Sequence, residues 1–277
     1  VIRRLAELFR PLPKQVIQLG DKPDYAGAIE ASIPRRRFTL HPTCLAAEAP
    51  SPPEVDLILP LRLSDYEILR DRPQDAAKAL FPPKELCELA HDKPSFNRWL
   101  LSHGFAAQVP TLFDSPEAAR FPLVIKGKRG EWGARTLMVP DQEGLDAALQ
   151  TAQGWKHGYF LQAAIPGQWE YATHLVARDG VTLFSATVDK RLSDAYQIIG
   201  LHGPKIGLQA SRRPTPPCII DIVRQLGYSG IACFDYKMDG DTVRLFEMNP
   251  RFGATSPLVG SGLYTAYAQA IAERRAA

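Results

Sequence analysis

Residues 230–249 read GIACFDYKMDGDTVRLFEMN and are followed at 250–256 by PRFGATS. Apolar and polar residues alternate on both sides of Met-Asp-Gly-Asp, which predicts two antiparallel strands joined by a tight turn. The length of that turn decides which side chains share a face. A turn of three or five residues centred on Gly240 pairs Asp235 with Leu245 and Cys233 with Glu247, so that Asp235, Glu247 and Asn249 lie together. A turn of two or four residues reverses the parity and points Asp235 away from Glu247, unless a bulge restores it. On simple alternation Phe246 and Met248 hold the second strand against the core.

If the three polar residues do share a face, two carboxylates and an amide oxygen converge within a few ångströms. Like charges that close repel unless a cation lies between them, and hard oxygen donors suit Mg²⁺ or Mn²⁺. Arg251, two residues further on, is then placed to meet a phosphate. The competing reading of the same alternation is a solvated strand face.

Working outward, Lys126 ends the apolar run FPLVIK (121–126), directly before GKRGEWGAR. Gly127, Gly130 and Gly133 recur every third residue, a pattern that lets backbone N–H groups approach phosphate oxygens. GxxxxGK[ST] is absent, so this is no Walker loop, and a plain hairpin loop is the alternative. Lys93 opens a helix in HDKPSFNRWLLSHG (91–104), where the helix dipole disfavours a cation; a phosphate partner or simple solvation would account for it. The segment YFLQAAIPGQWEY (159–171) is a strand, a Pro-Gly bend and a second strand carrying Glu170. Its bend exposes main-chain groups able to read the edge of an adenine ring. Lys190 and Arg191 follow FSATVD (184–189), and His202 and Lys205 lie in GLHGPKIG (200–207). Either pair could face an anionic substrate or lie on a loop surface. Thr255 and Ser256 follow the polar strand and suit a substrate carboxylate.

The 277 residues are 45% hydrophobic and 23% charged, enough to bury a large core in two or three parts. Thirty-three Lys and Arg against 30 Asp and Glu leave +3, too little to argue for nucleic acid or a membrane as partner. Cys44, Cys87, Cys218 and Cys233 form no CxxC pair, which points away from a zinc knuckle or disulfide framework and towards a reducing cytoplasm. No apolar run suits a membrane helix, and the opening VIRRLAELFRPLPK lacks a signal-peptide core. The chain opens on Val1 rather than methionine, which suggests further residues upstream.

Short β-like runs at 15–20, 36–40 and 55–60, with a helix at 25–32, predict a small N-terminal α/β unit. Helical spacing follows at 63–72 and 82–104. Strands and hairpins then dominate from about residue 110, with helices near 141–151, 217–227 and 261–275.

Taken in order, Lys93, Lys126 with its glycine loop, LQAAIPGQWE, Asp235 and FEMNPRFG resemble the ATP-grasp superfamily over residues 85–260. The likeness is to its carbamoyl-phosphate-synthase-like and D-alanine:D-alanine-ligase-like branches. The resemblance implies a combined α/β and α+β architecture: a pre-ATP-grasp α/β domain (1–92), a central lid (93–161) and a C-terminal subdomain with the metal site (162–277). It further implies ATP and magnesium or manganese as cofactors. Lys93, Lys126, Gly130 and Gly133 would hold phosphates, Gln162, Ala163, Ala164 and Ile165 the adenine, and Glu170 the ribose. Asp235, Glu247 and Asn249 would be the metal ligands, and Arg251 with Lys190 the catalytic cations. Arg191, His202, Lys205, Thr255 and Ser256 would meet the substrate.

The implied reaction joins a small-molecule carboxylate to an amine through an acyl phosphate. A non-catalytic ATP-binding module and a phosphotransferase are the alternatives, and a homodimer is the base-rate expectation. Three features depart from the family pattern: the bulky Lys128, Arg129, Glu131 and Trp132 in the glycine loop, Ala163 where relatives often carry an acid, and one extra residue before Glu170.

Overall fold

The computed structural model describes residues 14–276 except 24, 25, 47, 131, 132, 134 and 200–206. Contacts group the chain into one unit of Val1–Phe81 with Gly260–Ala277 and another of Pro82–Val259. These divisions differ from the 92/93 and 161/162 boundaries expected above.

In the first unit β1 (Gln15–Leu19) lies between β2 (Phe38–Leu40) and β3 (Leu57–Leu59), and both pairings are parallel. The helices α1 (Ala26–Ser32), α2 (Leu63–Arg70) and α3 (Pro73–Ala76) accompany them. Asp65 anchors the start of α2 by accepting from the N–H groups of Leu61 (2.7 Å) and Arg62 (3.1 Å). A Cβ at Gly20 would collide with the Asp65 carboxylate, so glycine there is a condition of the turn. The C-terminal helix (Gly262–Ala276) joins this unit: the Tyr267 hydroxyl accepts from Leu80 N–H (2.9 Å) and donates to the Ile58 carbonyl (2.7 Å). A C-terminal helix expected within the metal-bearing part therefore packs on the N-terminal sheet.

The second unit begins with α4 (Lys84–His91) and α5 (Lys93–Ser102), two helices where the spacing predicts one run. Asp92 separates them by capping α5, its side chain accepting from Ser95 N–H at 3.0 Å. Next come β4 (Leu112–Phe113), β5 (Leu123–Gly127), β6 (Thr136–Val139), α6 (Leu145–Gln153) and β7 (Tyr159–Ala163). Their strands form an antiparallel sheet in the order β4-β7-β5-β6, whose core of Leu123, Ile125, Val139 and Leu161 packs on Leu145 of α6.

A five-stranded antiparallel sheet completes the unit, in the order β10-β9-β8-β11-β12. Its strands are β8 (Trp169–Arg178), β9 (Val181–Arg191), β10 (Gly207–Ala210), β11 (Gly230–Asp239) and β12 (Thr242–Asn249), with α7 (Pro217–Gln225) between β10 and β11. One sheet face is apolar because Phe234, Leu245 and Met248 meet Phe96 and Leu100 of α5 and Ile219, Ile222 and Val223 of α7. The last three follow i, i+3, i+4 spacing, and burying each contributes roughly 1.5–3 kcal/mol. The short strands β4 and β10 go unmarked in the sequence pattern. Among the described residues no helix is long and apolar enough to cross a membrane.

The register of the 230–249 hairpin follows neither simple alternative. Asp239 pairs with Thr242, which leaves a two-residue turn, and Gly240 has a positive φ of 59°. That turn carries the wrong parity for a shared face. The ladder then shifts between Asp235 and Tyr236, with Phe246 the extra residue, and Asp235 pairs directly with Glu247 and Cys233 with Asn249. The expected pairing of Asp235 with Leu245 is therefore replaced, while the shared face is kept. Burial along β12 records the slip, since Val243, Leu245 and Met248 are buried and Phe246 is not. Phe246 accordingly leaves the core and lines the site.

Candidate functional site

The polar face of the five-stranded sheet and the strands β5, β6 and β7 line a cavity of about 370 Å³. Among the described residues its wall holds the cations Lys93, Lys126, Arg129, Arg135, Lys190, Lys237 and Arg251 against the carboxylates Glu170, Asp235 and Glu247. Seven cations against three carboxylates favour a polyanionic occupant.

The carboxylates are held by lysines. Lys190 pairs across the sheet with Glu170, its Nζ lying 2.9 Å from Glu170 Oε1 and 2.6 Å from Asp235 Oδ1. Burial works against the Lys190 ammonium, but Asp235 and Glu170 outweigh it and hold its pKa above the ordinary lysine range. Burial pushes the Asp235 carboxyl up; Lys190 opposes this, and Glu247 and Glu170 add to it. Burial also disfavours the Glu247 carboxylate, yet Lys93 (Nζ to Oε2, 3.1 Å) and Lys126 dominate and hold its pKa at about 2.

Asn249 binds both acids through its amide nitrogen, 3.1 Å from Asp235 Oδ2 and 3.0 Å from Glu247 Oε1. Its oxygen faces Arg251 Nη2 at 3.4 Å. A half-turn of that amide would present oxygen to a cation lying between the carboxylates.

Lys126 is enclosed. Its Nζ donates to the Phe246 carbonyl (3.3 Å) and lies 5.4 Å from the centre of the Phe246 ring. Burial, with Lys93 adding to it, lowers its pKa to about 8 against the pull of Glu247. The glycine loop is tied to Lys93: Lys93 N–H donates to the Lys128 carbonyl and Lys93 Nζ to the Gly130 carbonyl, both at 3.0 Å. Arg129 reaches Asp92 at 3.4 Å. Gly130 and Gly133 both line the cavity with positive φ.

At the bend, Gln162, Ala163 and Ile165 line the cavity, whereas Ala164 N–H donates to the Pro122 carbonyl and Ala164 is not among the lining residues. Glu170 lines it as well, bound to Lys190. Thr255 lines it too, and its hydroxyl lies 2.9 Å from Nε2 of the fully buried His174. Ser256 is buried and Arg191 is exposed at the end of β9; neither is among the lining residues. His202, Lys205, Glu131 and Trp132 lie outside the described residues.

Sequence reasoning missed Arg135, Lys237, His174 and the 196–199 segment, all at or next to the cavity. Lys237 had a signal, because it follows Asp235 by two residues on one strand. His174 had none: burial pulls its pKa down to about 3, with Lys190 adding, and it reads as an ordinary strand residue.

This arrangement, with one cavity framed by a four-stranded and a five-stranded antiparallel sheet, is the ATP-grasp fold. A D-alanine–D-alanine ligase from Bacillus anthracis complexed with ATP superposes with a TM-score of 0.63 at 17% identity, covering 95% of this chain and 98% of that one. D-cycloserine synthetase DcsG gives 0.59 at 15% identity, over 94% and 99% of the two chains. N5-carboxyaminoimidazole ribonucleotide synthetase from Thermus thermophilus gives 0.54 at 19% identity, over 91% and 69%. No protein-family model and no curated protein sequence matches the chain.

Proposed function

We propose that the protein is an ATP- and magnesium-dependent ligase that joins a small carboxylate to an amine. The observation that carries this reading is the direct pairing of Asp235 with Glu247, flanked by Asn249 and set in a wall with excess positive charge. The three solved relatives are named as ligases or synthetases, and one of them was captured with ATP.

The donor set fits magnesium. Among the described residues no group of three or more His, Cys, Asp or Glu side chains could hold a metal; the candidate is two carboxylates and an amide. Magnesium commonly takes one or two carboxylates and completes its shell with waters and phosphate oxygens. When bound, it would neutralise phosphate charge as the γ-phosphoryl group moves.

The remaining work belongs to side chains. Lys93, Lys126 and the glycine loop hold the phosphates, Gln162, Ala163 and Ile165 receive the adenine and Glu170 the ribose. Residues 93–161 act as lid. Lys190 and Arg251 stabilise charge while a substrate carboxylate oxygen attacks the γ-phosphorus and ADP leaves. The amine then attacks the acyl carbon, phosphate departs with the bonding electrons of the broken C–O bond, and the nitrogen gives up a proton to solvent or to the departing phosphate. Thr255 meets the substrate carboxylate in this scheme. Positioning dominates, and no protein nucleophile is needed.

Release of ADP and phosphate should require a carboxylate and an amine together, in a screen over amino acids and small carboxylates. ADP formed with a stable phosphorylated product would replace this reading with a phosphotransferase. Nucleotide binding without turnover on any pair would replace it with a binding module.

A further inference from the structure

Lys237 is a buried lysine without a partner carboxylate within ion-pair distance among the described residues. It stands on β11 two residues from Asp235 and lines the same cavity. Its Nζ donates to two main-chain carbonyls from separate segments: Ala195 at 2.7 Å and Ile165 at 3.2 Å. The Ala195 carbonyl also accepts from Gly167 N–H (3.0 Å), and Leu192 N–H donates to the Gln168 carbonyl (2.8 Å). Segment 192–197 is thus sewn to the bend at 165–168, with Lys237 joining the two from below.

The sewn segment is itself braced. Gln197 Oε1 accepts from both the N–H (2.6 Å) and the hydroxyl (2.8 Å) of Ser193. That leaves the buried Gln197 Nε2 as the free end, unpartnered among the described residues, on a residue lining the cavity. Ile198 and Ile199 line it too, and the Ile199 carbonyl packs so closely on Gly133 that a Cβ there would collide with it. Segment 193–199 therefore bridges the bend to the glycine loop. An ammonium removed from water to hold two carbonyls is a costly way to fasten a surface loop. It is well matched to fixing a wall whose position matters to a ligand.

We infer that Lys237 is a positioning residue that locks the 165–168 bend and the 193–199 segment into one frame, presenting Ile198, Ile199 and the Gln197 amide to a nucleotide. The inference rests on the nucleotide reading above for its ligand, though not for the frame itself. Lys237 touches no reacting atom in this scheme. It sets affinity and loop order rather than chemistry.

The test compares the full-length protein with Lys237→Met and Lys237→Arg, using Mg·ADP by calorimetry and amide hydrogen exchange on the unliganded proteins. In Lys237→Met, Mg·ADP should bind about tenfold more weakly, the scale of one lost charge-assisted hydrogen bond. Exchange should quicken at 165–168 and 193–199 while β8 and β11 keep their protection. Lys237→Arg, which can still donate to both carbonyls, should recover most of both effects. Unchanged affinity in Lys237→Met, or faster exchange spread across the whole sheet, would overturn the inference. If the wild-type protein binds no Mg·ADP, the nucleotide reading fails, and exchange confined to the two segments still decides the frame on its own.

Discussion

The hairpins β8–β9 and β11–β12 are built by one device and use it differently. Each closes with a two-residue turn, at Asp179-Gly180 and Gly240-Asp241, and each inserts one extra residue in its second strand. In β8–β9 the insertion is Leu183, close to the turn, and the shifted register pairs Glu170 with Lys190 at the far end of the ladder. Were the same sequence paired in an unbroken ladder from the turn, with Leu183 taking a regular place, Glu170 would face Asp189 and Lys190 would point to the other side of the sheet. In β11–β12 the insertion is Phe246, next to the carboxylates, and its ring lies beside Lys126. A bulge near the turn therefore sets parity at a distance, while a bulge at the site sets parity and supplies a wall.

The comparison breaks most sharply if Phe246 is deleted. The regular ladder that results still sets Glu247 opposite Asp235 and keeps Met248 in the core, so the deletion removes the wall beside Lys126 and leaves the parity alone. Mg·ATP should bind about tenfold more weakly, the scale of a lost ring contact to a partly desolvated ammonium, yet still bind. Calorimetry checks this. A deletion variant that binds no Mg·ATP would show that the bulge itself, and not only the parity it sets, makes the site. Next comes Glu247→Gln, which keeps the shape and removes one charge: turnover should fall about 10²–10³-fold, the usual loss for one electrostatic contact to a transition state. Its urea midpoint should fall as well, because Lys93 and Lys126 lose their carboxylate, while its circular dichroism stays that of the wild type.

Lys190→Met tests the remote bulge through the residue it orients. It strands Glu170 and Asp235 beside each other, and stability at neutral pH should drop by about 3 kcal/mol, recovering in part as acid protonates them. A denaturation series from pH 7 to pH 4 reads this directly. Equal losses at both ends of the series would mean that the pairing of Lys190 with Asp235 (2.6 Å) contributes packing rather than charge.

A smaller effect concerns Lys126, whose pKa is lowered to about 8 by burial. Between that value and about 10.4 the unfolded chain holds the proton and the folded one does not, so this group makes stability rise with pH. Bound phosphate acts in the opposite sense by favouring the ammonium. Mg·ADP binding near pH 8.5 should therefore take up a fraction of a proton, seen as a dependence of the calorimetric heat on buffer ionisation. Lys126→Met should abolish the uptake.

How much of this was legible in the sequence depends on the kind of interaction. The N-terminal α/β unit, the β-rich remainder and the gathering of Lys93, Lys126, Asp235 and Glu247 were readable, because periodicity and residue order carry them. The bulge was half-readable. Asp-Gly-Asp asks for a two-residue turn, and the adjacent apolar pair Leu245-Phe246 breaks the alternation where the phase slips. Read together they give the observed register; taken singly, each suggests a different one. The return of the C-terminal helix to the first unit was not readable, since it depends on Tyr267 meeting Leu80 and Ile58 across 187 and 209 residues of chain. Lys237 was legible in part: its place two residues after Asp235 puts it on the face of the site, but both of its partners are main-chain carbonyls and carry no side-chain signature.

The smallest effect sharpens the comparison most. If a bulge near the turn matters only as an extra residue, the side chain of Leu183 should be nearly irrelevant, and it is 38% exposed. Leu183→Ser should change stability by less than about 0.5 kcal/mol and leave Mg·ADP affinity untouched, as surface substitutions usually do. Phe246→Ser should not be so mild, since it removes the ring beside Lys126 and opens the cavity wall. Urea midpoints and ADP titrations of the two variants, side by side, separate the roles. Matching effects would mean that both bulges work through their side chains; a silent Leu183 beside a costly Phe246 would mean that one insertion only counts residues, while the other also shapes the site.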